Sequence, residues 1–429
     1  MRHGLRSLWH SGVRTARRFS GILSSMVYSG SNFLLIFLLQ NETSRLEFGI
    51  FALSQVFLQL GISVCNALFA TPILIYATDR AGWRENFGSF SKANWIFSTL
   101  FGGASALIAY QIGGGLLFSV LFFALSAISF IRWFIRSAEL AQENYDLAVL
   151  ADIAYGVLVA GGIGLLFLLN RIDNVSVTVV QIVGCLAAFP LLAQASRMSL
   201  TTLGSASFRP YLKSLREHGR WVLLGVLTTE ATANAHSYLV GFLLGPVAYA
   251  PIAAVTLFYR PVNIVIQAMT QYERPRMAHA IAEGNTRELT RFVNIFRLMS
   301  LVVCAFNALL LASILWLLPD IIGNGAYDHN ELVLAASLLA AINLARALRG
   351  SESAALQAGG HFRPLAMVTV YTSPISLIGT ALIVLVFPTA DAALSLIGVA
   401  AGEIGMYYLY YLLYRRTFWR KDAATTASG

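Results

Sequence analysis

One element recurs along this chain: an apolar run long enough to cross a lipid bilayer as a helix. A spanning helix takes roughly 20 mostly apolar residues. Runs of that kind lie near 19–40, 48–75, 93–112, 115–135, 147–169, 175–195, 219–243, 247–271, 292–318, 332–350, 363–387 and 391–414. Turns such as Gly113-Gly114-Gly115 and Gly245-Pro246 join several of them directly. The pattern predicts an all-α polytopic membrane protein of about twelve spans. Composition agrees, with 57% hydrophobic and 12% charged residues among 429 and a mean hydropathy of +0.67. Soluble domains carry about 25% charged residues, and a water-soluble chain could not hide this much apolar surface.

The longest gap, 196–218, divides the spans into two sets of six. The expected organisation is an interfacial segment over 1–18, a first lobe over 19–195, a linker over 196–218, a second lobe over 219–414 and a tail over 415–429. Residues 1–18 hold Arg2, Arg6, Arg14, Arg17 and Arg18 among Leu5, Leu8, Trp9 and Val13. A spanning run follows without a small-residue cleavage site, so this segment reads as lying on the membrane and not as a signal peptide.

Basic residues set the orientation. With the N-terminus inside, alternate loops hold Arg80, Arg84 and Lys92; Arg209, Lys213, Arg216 and Arg220; Arg274, Arg276, Arg287 and Arg291; and Arg349 and Arg363. The tail adds Arg415, Arg416, Arg420 and Lys421, whereas the opposite loops hold only Arg45 and Arg171 among several acids. Both termini are therefore expected on the cytoplasmic side. The net charge of +9 is spent in these short clusters, with no basic helix face interleaved with aromatics, which argues against nucleic acid. Cys65, Cys185 and Cys304 show no ligand spacing and read as packing residues. No cofactor or metal is expected, and Asp328-His329-Asn330-Glu331 reads as a solvated outer loop.

The halves can be laid over each other. Ser25, Ser29 and Asn32 fall on Glu230, Asn234 and Ser237, and Phe37-Leu38-Leu39 falls on Phe242-Leu243-Leu244. After a shorter loop, Phe48, Ala52 and Phe57 fall on Tyr249, Ala253 and Phe258, while Pro72 and Gly82 are echoed by Pro275 and Gly284. A six-helix repeat keeps both halves in one orientation and predicts a central cleft lined by the first, second, seventh and eighth spans.

The stretch Gly241-Phe-Leu-Leu-Gly-Pro-Val-Ala-Tyr-Ala250, with Tyr259-Arg-Pro261, Pro275 and Glu283-Gly284-Asn285, is similar to bacterial polysaccharide repeat-unit flippases. Phe48-Gly-Ile-Phe-Ala-Leu53 resembles the corresponding "FGLYAL" stretch of their first half. These flippases share a superfamily with the multidrug and toxic-compound extrusion transporters and the lipid II flippase. The similarity is one of pattern, clearest at 220–300, with no invariant motif; the lipid II flippase has two further helices for which this chain has no room. The resemblance implies a MATE-like fold of two six-helix lobes in the bacterial inner membrane. It also implies transport of an undecaprenyl-diphosphate-linked oligosaccharide to the outer leaflet, with membrane lipids and a polysaccharide polymerase and co-polymerase as partners.

Charges within the spans nominate the site. Each costs on the order of 3 kcal/mol at mid-bilayer, so they need a cavity, a partner or a task. In the seventh span Glu230, Asn234 and Ser237 form one stripe, with Thr229, Thr232 and His236 beside it. In the eighth, Arg260 precedes Pro261, which frees the carbonyl of Leu257 and predicts a kink. Glu230 and Arg260 lie equally far from the Gly245-Pro246 turn, about 22 Å in from it at 1.5 Å per residue. Arg297, Arg346 and Glu403 add charge to the second half, and Arg132 and Asp152 to the first.

One reading places Arg260, Arg346, Arg297 and Arg132, with Asn32, Asn234 and His236, around a diphosphate, because guanidinium suits phosphate oxygens bidentately. Glu230, or in its stead Glu403, then serves ion coupling, its charge responding to whether substrate holds the arginine. The other reading has Arg132, Arg297 and Arg346 snorkelling to the interface, Glu230 and Arg260 forming a structural pair, and His236 packed in its helix. A cation-coupled drug exporter is the second transporter reading, disfavoured by the excess of arginine over acid. A membrane enzyme such as a glycan polymerase, ligase or acyltransferase calls for a sizeable outer loop or a convergent catalytic set, and the sequence shows neither.

Overall fold

Leu100, Leu116 and Trp316 stand 70%, 71% and 82% exposed on the outside of the helices, while Asp152, Glu352 and Glu403 are buried within. Such an inside-out distribution requires an apolar solvent, and a bilayer supplies one. The computed structural model describes residues 26–76, 83–142, 144–192, 199–201, 204, 206–387 and 391–419. The predicted interfacial segment 1–18 and residues 420–429 of the tail lie outside the described residues.

Twelve main helices are found among the described residues, and no strand. In the first half they are α1 (26–42), α2 (Arg45–Cys65), α3 (Trp83–Gln111), α4 (Gly115–Ala141), α5 (Tyr145–Leu168) and α6 (Asn174–Ala188). In the second they are α7 (Arg220–Leu243), α8 in two segments (Pro246–Phe258 and Arg260–Ala282), α9 (Thr286–Leu317), α10 (His329–Ala358), α11 (Phe362–Val386) and α12 (Leu396–Tyr414). Seven spans are long and apolar enough to cross a membrane on their own, and the bent pair of α8 makes an eighth. Others fall short for visible reasons: α6 has only 15 residues, and α7 carries Glu230 and His236.

Helix boundaries depart from the apolar runs where polar residues continue a helix past the slab. α3 begins at Trp83 instead of residue 93, and α10 runs on to Ala358 instead of residue 350. Hydropathy marks the membrane thickness, whereas helix ends are set by caps. Asn285 accepts from the Glu288 N–H at 3.1 Å to start α9. Asp328 accepts from the Asn330 N–H at 3.2 Å, so the expected loop Asp328–Glu331 is in fact the first turn of α10. The expected second span is interrupted by a π segment, Asn66–Ala70, before it resumes over Thr71–Tyr76. The expected kink in α8 is present: the helix breaks at Tyr259 and its segments diverge by 48°. Pro261 stands at the start of the second segment, where a missing N–H costs nothing.

The chain divides into two compact units, Met1–Leu223 and Leu224–Gly429. In the first, α3 lies along α4, and α6 packs on both α4 and α5. Phe87 stacks on Phe134 at 5.5 Å, and Phe69 stacks on Tyr211 at 5.4 Å. Tyr211 belongs to a short helix, Arg209–Ser214, so part of the expected linker is a structured element docked on α3. In the second unit α10 packs between α9 and α12, and α11 lies along α12. Phe296, Leu356, Met406, Tyr410 and Phe418 form the core at one end. A Cβ at Gly398 would run into the backbone of Thr380; glycine there lets α11 and α12 approach closely.

Candidate functional site

Each unit buries one carboxylate between two arginines. In the first unit the acid is Asp152 of α5. Arg132 and Arg136, one turn apart on α4, reach it at 2.8 and 2.7 Å. The side chains of Arg132 and Asp152 are 3% and 4% exposed. The Arg132 guanidinium also lies over the rings of Tyr155 and Tyr28, at 4.7 and 5.4 Å from their centroids. Aromatic faces attract a cation more strongly when both are desolvated. Tyr155 donates its hydroxyl proton to Asn32 Oδ1 at 3.1 Å, and Asn32 itself donates to the Tyr28 carbonyl at 2.8 Å. Gln181 reaches Asn32 at 3.5 Å and accepts from Gln55 at 3.3 Å. A polar chain thus links α1, α2, α4, α5 and α6 within the apolar body of the unit.

In the second unit the acid is Glu403 of α12, fully buried. Arg346 and Arg349, one turn apart on α10, approach it at 2.8 and 3.0 Å. Arg346 is bonded twice, since its Nη2 donates to the carbonyl of Ala233 at 3.1 Å. That carbonyl is available because α7 leaves helical geometry at the next residue, Asn234, with φ −118° and ψ 16°. The Asn234 side chain donates back to Glu230 at 2.7 Å. Two residues on, buried His236 shares a hydrogen bond with Ser237 at 3.1 Å, and Ser237 donates to the Tyr249 hydroxyl at 3.1 Å. A further buried acid, Glu352 of α10, pairs with Arg297 of α9 and accepts from Ser351 at 2.8 Å.

The two arginine pairs occupy the fourth helix of their respective units. In both clusters two guanidinium charges meet one carboxylate, leaving one positive charge in excess. Burying an ion pair is costly unless further hydrogen bonds satisfy the groups; in the first unit the Arg136 Nε supplies them to both Asp152 oxygens at 3.0 and 2.8 Å, while in the second Arg349 meets Glu403 as an ion pair. Arg346 and Arg349 keep 22% and 18% of their side chains exposed, while Glu403 stays enclosed.

The expected site residues are therefore distributed. Arg132 and Asn32 meet through Tyr155; Asn234 meets Glu230; and Arg346 meets Glu403, two residues for which separate roles were expected. Arg260 opens the second segment of α8 with its side chain exposed. The snorkelling reading is corrected for Arg132, whose guanidinium is enclosed on Asp152; Arg297 and Arg346 are partly exposed and end on buried carboxylates. Sequence reasoning missed Arg136, Arg349, Glu352, Tyr28 and Tyr155 as parts of these clusters. The spacings Arg132–Arg136 and Arg346–Arg349, i+4 and i+3, were the available signal, because both place the two arginines on one helix face. The cysteines are all buried and free, and no group of metal-binding side chains occurs among the described residues.

An inward-facing multidrug resistance MATE family transporter of the MOP superfamily superposes with a TM-score of 0.65 at 16% identity, covering 94% of this chain and 96% of its own. The fold is that of the MATE transporters. The outward-facing conformation of such a transporter scores 0.61 at 14% identity, over 95% and 96% of the two chains. The eukaryotic MATE transporter AtDTX14 scores 0.65 at 16% identity, over 95% and 96%. No protein-family model matches the sequence, and no curated protein does. The MATE-like fold expected from the sequence is thus found across nearly the full chain.

Proposed function

We propose that this chain is an alternating-access transporter that carries an undecaprenyl-diphosphate-linked oligosaccharide to the outer leaflet of the bacterial inner membrane. The observation that carries the reading is the charge of the two buried clusters: each sets two arginines against one acid. Solved transporters of this fold, taken in inward-facing and outward-facing conformations, support the transport half of the reading. The excess positive charge supports an anionic cargo. Guanidinium groups match diphosphate oxygens in a planar fork, which a lysine ammonium does not. Arg346 is the most accessible of these charges, Arg349 stands beside it on the same carboxylate, and Arg260, exposed beside the bend of α8, is a third contact for the diphosphate.

Cation-coupled drug export is the second reading, since it shares the fold. A cationic drug would meet the excess arginine charge without compensation, and like charge is costly in a low-dielectric site. In proteoliposomes with a fluorescent undecaprenyl-diphosphate oligosaccharide, the wild-type protein should render the label accessible to an outside quencher. Arg260→Ala and Arg349→Ala should slow that step while the protein remains folded. Export of lipophilic cations without movement of the lipid-linked glycan would replace this reading with the second one. Within the proposal both termini are cytoplasmic, and a polysaccharide polymerase and co-polymerase consume the delivered glycan.

A further inference from the structure

At one end of the second unit three exposed arginines stand without a carboxylate: Arg363 in the first turn of α11, and Arg415 and Arg416 where α12 passes into a π segment, Arg415–Trp419. Among the described residues none of the three forms an ion pair, whereas Arg276 at the same end reaches Glu273 at 3.3 Å. Packing brings their elements to one corner. Phe418 of the π segment meets His361 edge to face, with ring centroids 5.9 Å apart, in the turn that leads into Arg363. A Cβ at Gly359 would stand 3.0 Å from the Phe418 ring, so glycine lets this turn seat on the end of α12.

Arg415 is mounted as well as exposed. Its guanidinium lies over the rings of Tyr411 and Trp419, one turn before and one turn after, at 5.8 and 5.2 Å from their centroids. Ring contacts of this kind fix the plane of the guanidinium and leave its N–H groups for oxygens, an arrangement that suits phosphate. Membrane orientation asks only for charge at a helix end; it does not call for a guanidinium held between aromatic rings.

The face leading to it is apolar. Ile397, Ile404, Tyr408 and Arg415 follow at spacings of seven, four and seven, on one side of α12, and the first three are exposed. From Ile404 to Arg415 the helix rises about 16 Å, close to the ~15 Å hydrocarbon depth of one leaflet. Trp419 beyond it is exposed and of a type that settles at headgroup depth.

We infer that this corner binds the headgroup of an anionic phospholipid, with the phosphate on Arg415 between Arg363 and Arg416 and the acyl chains along Ile404 and Tyr408. Charge makes the selection. A phosphatidylethanolamine would bring its ammonium among three unpaired guanidinium groups, whereas a phosphatidylglycerol brings only its phosphate. The site is separate from Arg346 and Arg349 and does not depend on the cargo.

The test is native mass spectrometry of the full chain, titrated in detergent with phosphatidylglycerol or phosphatidylethanolamine of matched chains. The wild type should retain the first several-fold more than the second. Arg363→Gln combined with Arg415→Gln should bring that ratio close to unity. Arg287→Gln combined with Arg291→Gln removes as much charge from exposed positions near the start of α9, beside Glu288, and should leave the ratio unchanged. Equal retention of the two lipids by the wild type overturns the inference. So does an equal loss in the two double variants, which would reduce the effect to net charge. Undecaprenyl phosphate that displaces the phosphatidylglycerol at a tenth of its concentration would make the corner a cargo site and overturn it too.

Discussion

Arg346 donates to the carbonyl of Ala233 at 3.1 Å, at the point where α7 departs from helical geometry, while its Nε holds Glu403 at 2.8 Å. One guanidinium thus caps a broken helix and neutralises a buried acid on another. Lysine can do one of these but not both, having a single point of charge on a flexible stem. Arg346→Lys should keep the Glu403 pair and leave the Ala233 carbonyl open. Amide exchange just after the break, over 236–240, should then rise several-fold with little change in thermal midpoint. Unchanged exchange would mean that the break does not depend on the arginine.

Asp152 is the sole acid of the first-unit cluster that the geometry assigns to both Arg132 and Arg136. Asp152→Asn leaves two guanidinium groups facing each other in a low-dielectric site. Breaking a buried pair by removing one partner costs about 3–5 kcal/mol, and this variant should be the least stable of the single substitutions considered. Arg132→Leu combined with Asp152→Leu should lose less than the sum of the two single changes in a double-mutant cycle read by thermal unfolding in detergent. Strict additivity would show that the pair is not coupled.

Tyr155 has two separable roles, a ring over Arg132 at 4.7 Å and a hydroxyl on Asn32 at 3.1 Å. Tyr155→Phe removes only the hydroxyl and should cost about 1 kcal/mol, in line with hydrogen bonds inside membranes. Tyr155→Leu also removes the aromatic face and should cost about 1 kcal/mol more. Equal losses for the two variants would assign all of the effect to the hydroxyl.

The orientation read from basic residues is checked by single cysteines in a background lacking Cys65, Cys185 and Cys304. Gln111, Arg171 and Asn330 are exposed at one set of helix connections, and Glu85, Glu217 and Asn285 at the other. Cysteine at the first three positions should react with an impermeant maleimide from outside intact cells, and at the last three only after permeabilisation. Reaction of Gln111→Cys and Asn285→Cys from the same side would overturn the arrangement.

Much of the architecture was legible in the amino-acid order. Apolar run length decides that the chain lives in a bilayer, and Pro261 alone predicted the break in α8, because a missing N–H and a ring clash act on their own helix. Local chemistry of that kind needs no neighbour. The start of α10 at Asp328 was misread as loop because the hydropathy pattern is silent about helix beyond the slab; the cap residue held that information. The nature of the candidate sites was decided elsewhere. That Arg346 finds Glu403, 57 residues away, and Arg132 finds Asp152, 20 residues away, follows from which helix faces pack together. Helix-face spacing could nominate the arginine pairs on α4 and α10, but an ion pair between helices depends on rotation and depth of both partners. Those are set by the packing of α4 with α5 and of α10 with α12, through close contacts such as the ones glycine permits between α11 and α12. Whether a buried arginine is spent on an acid or left in excess for a ligand is therefore a property of the tertiary structure.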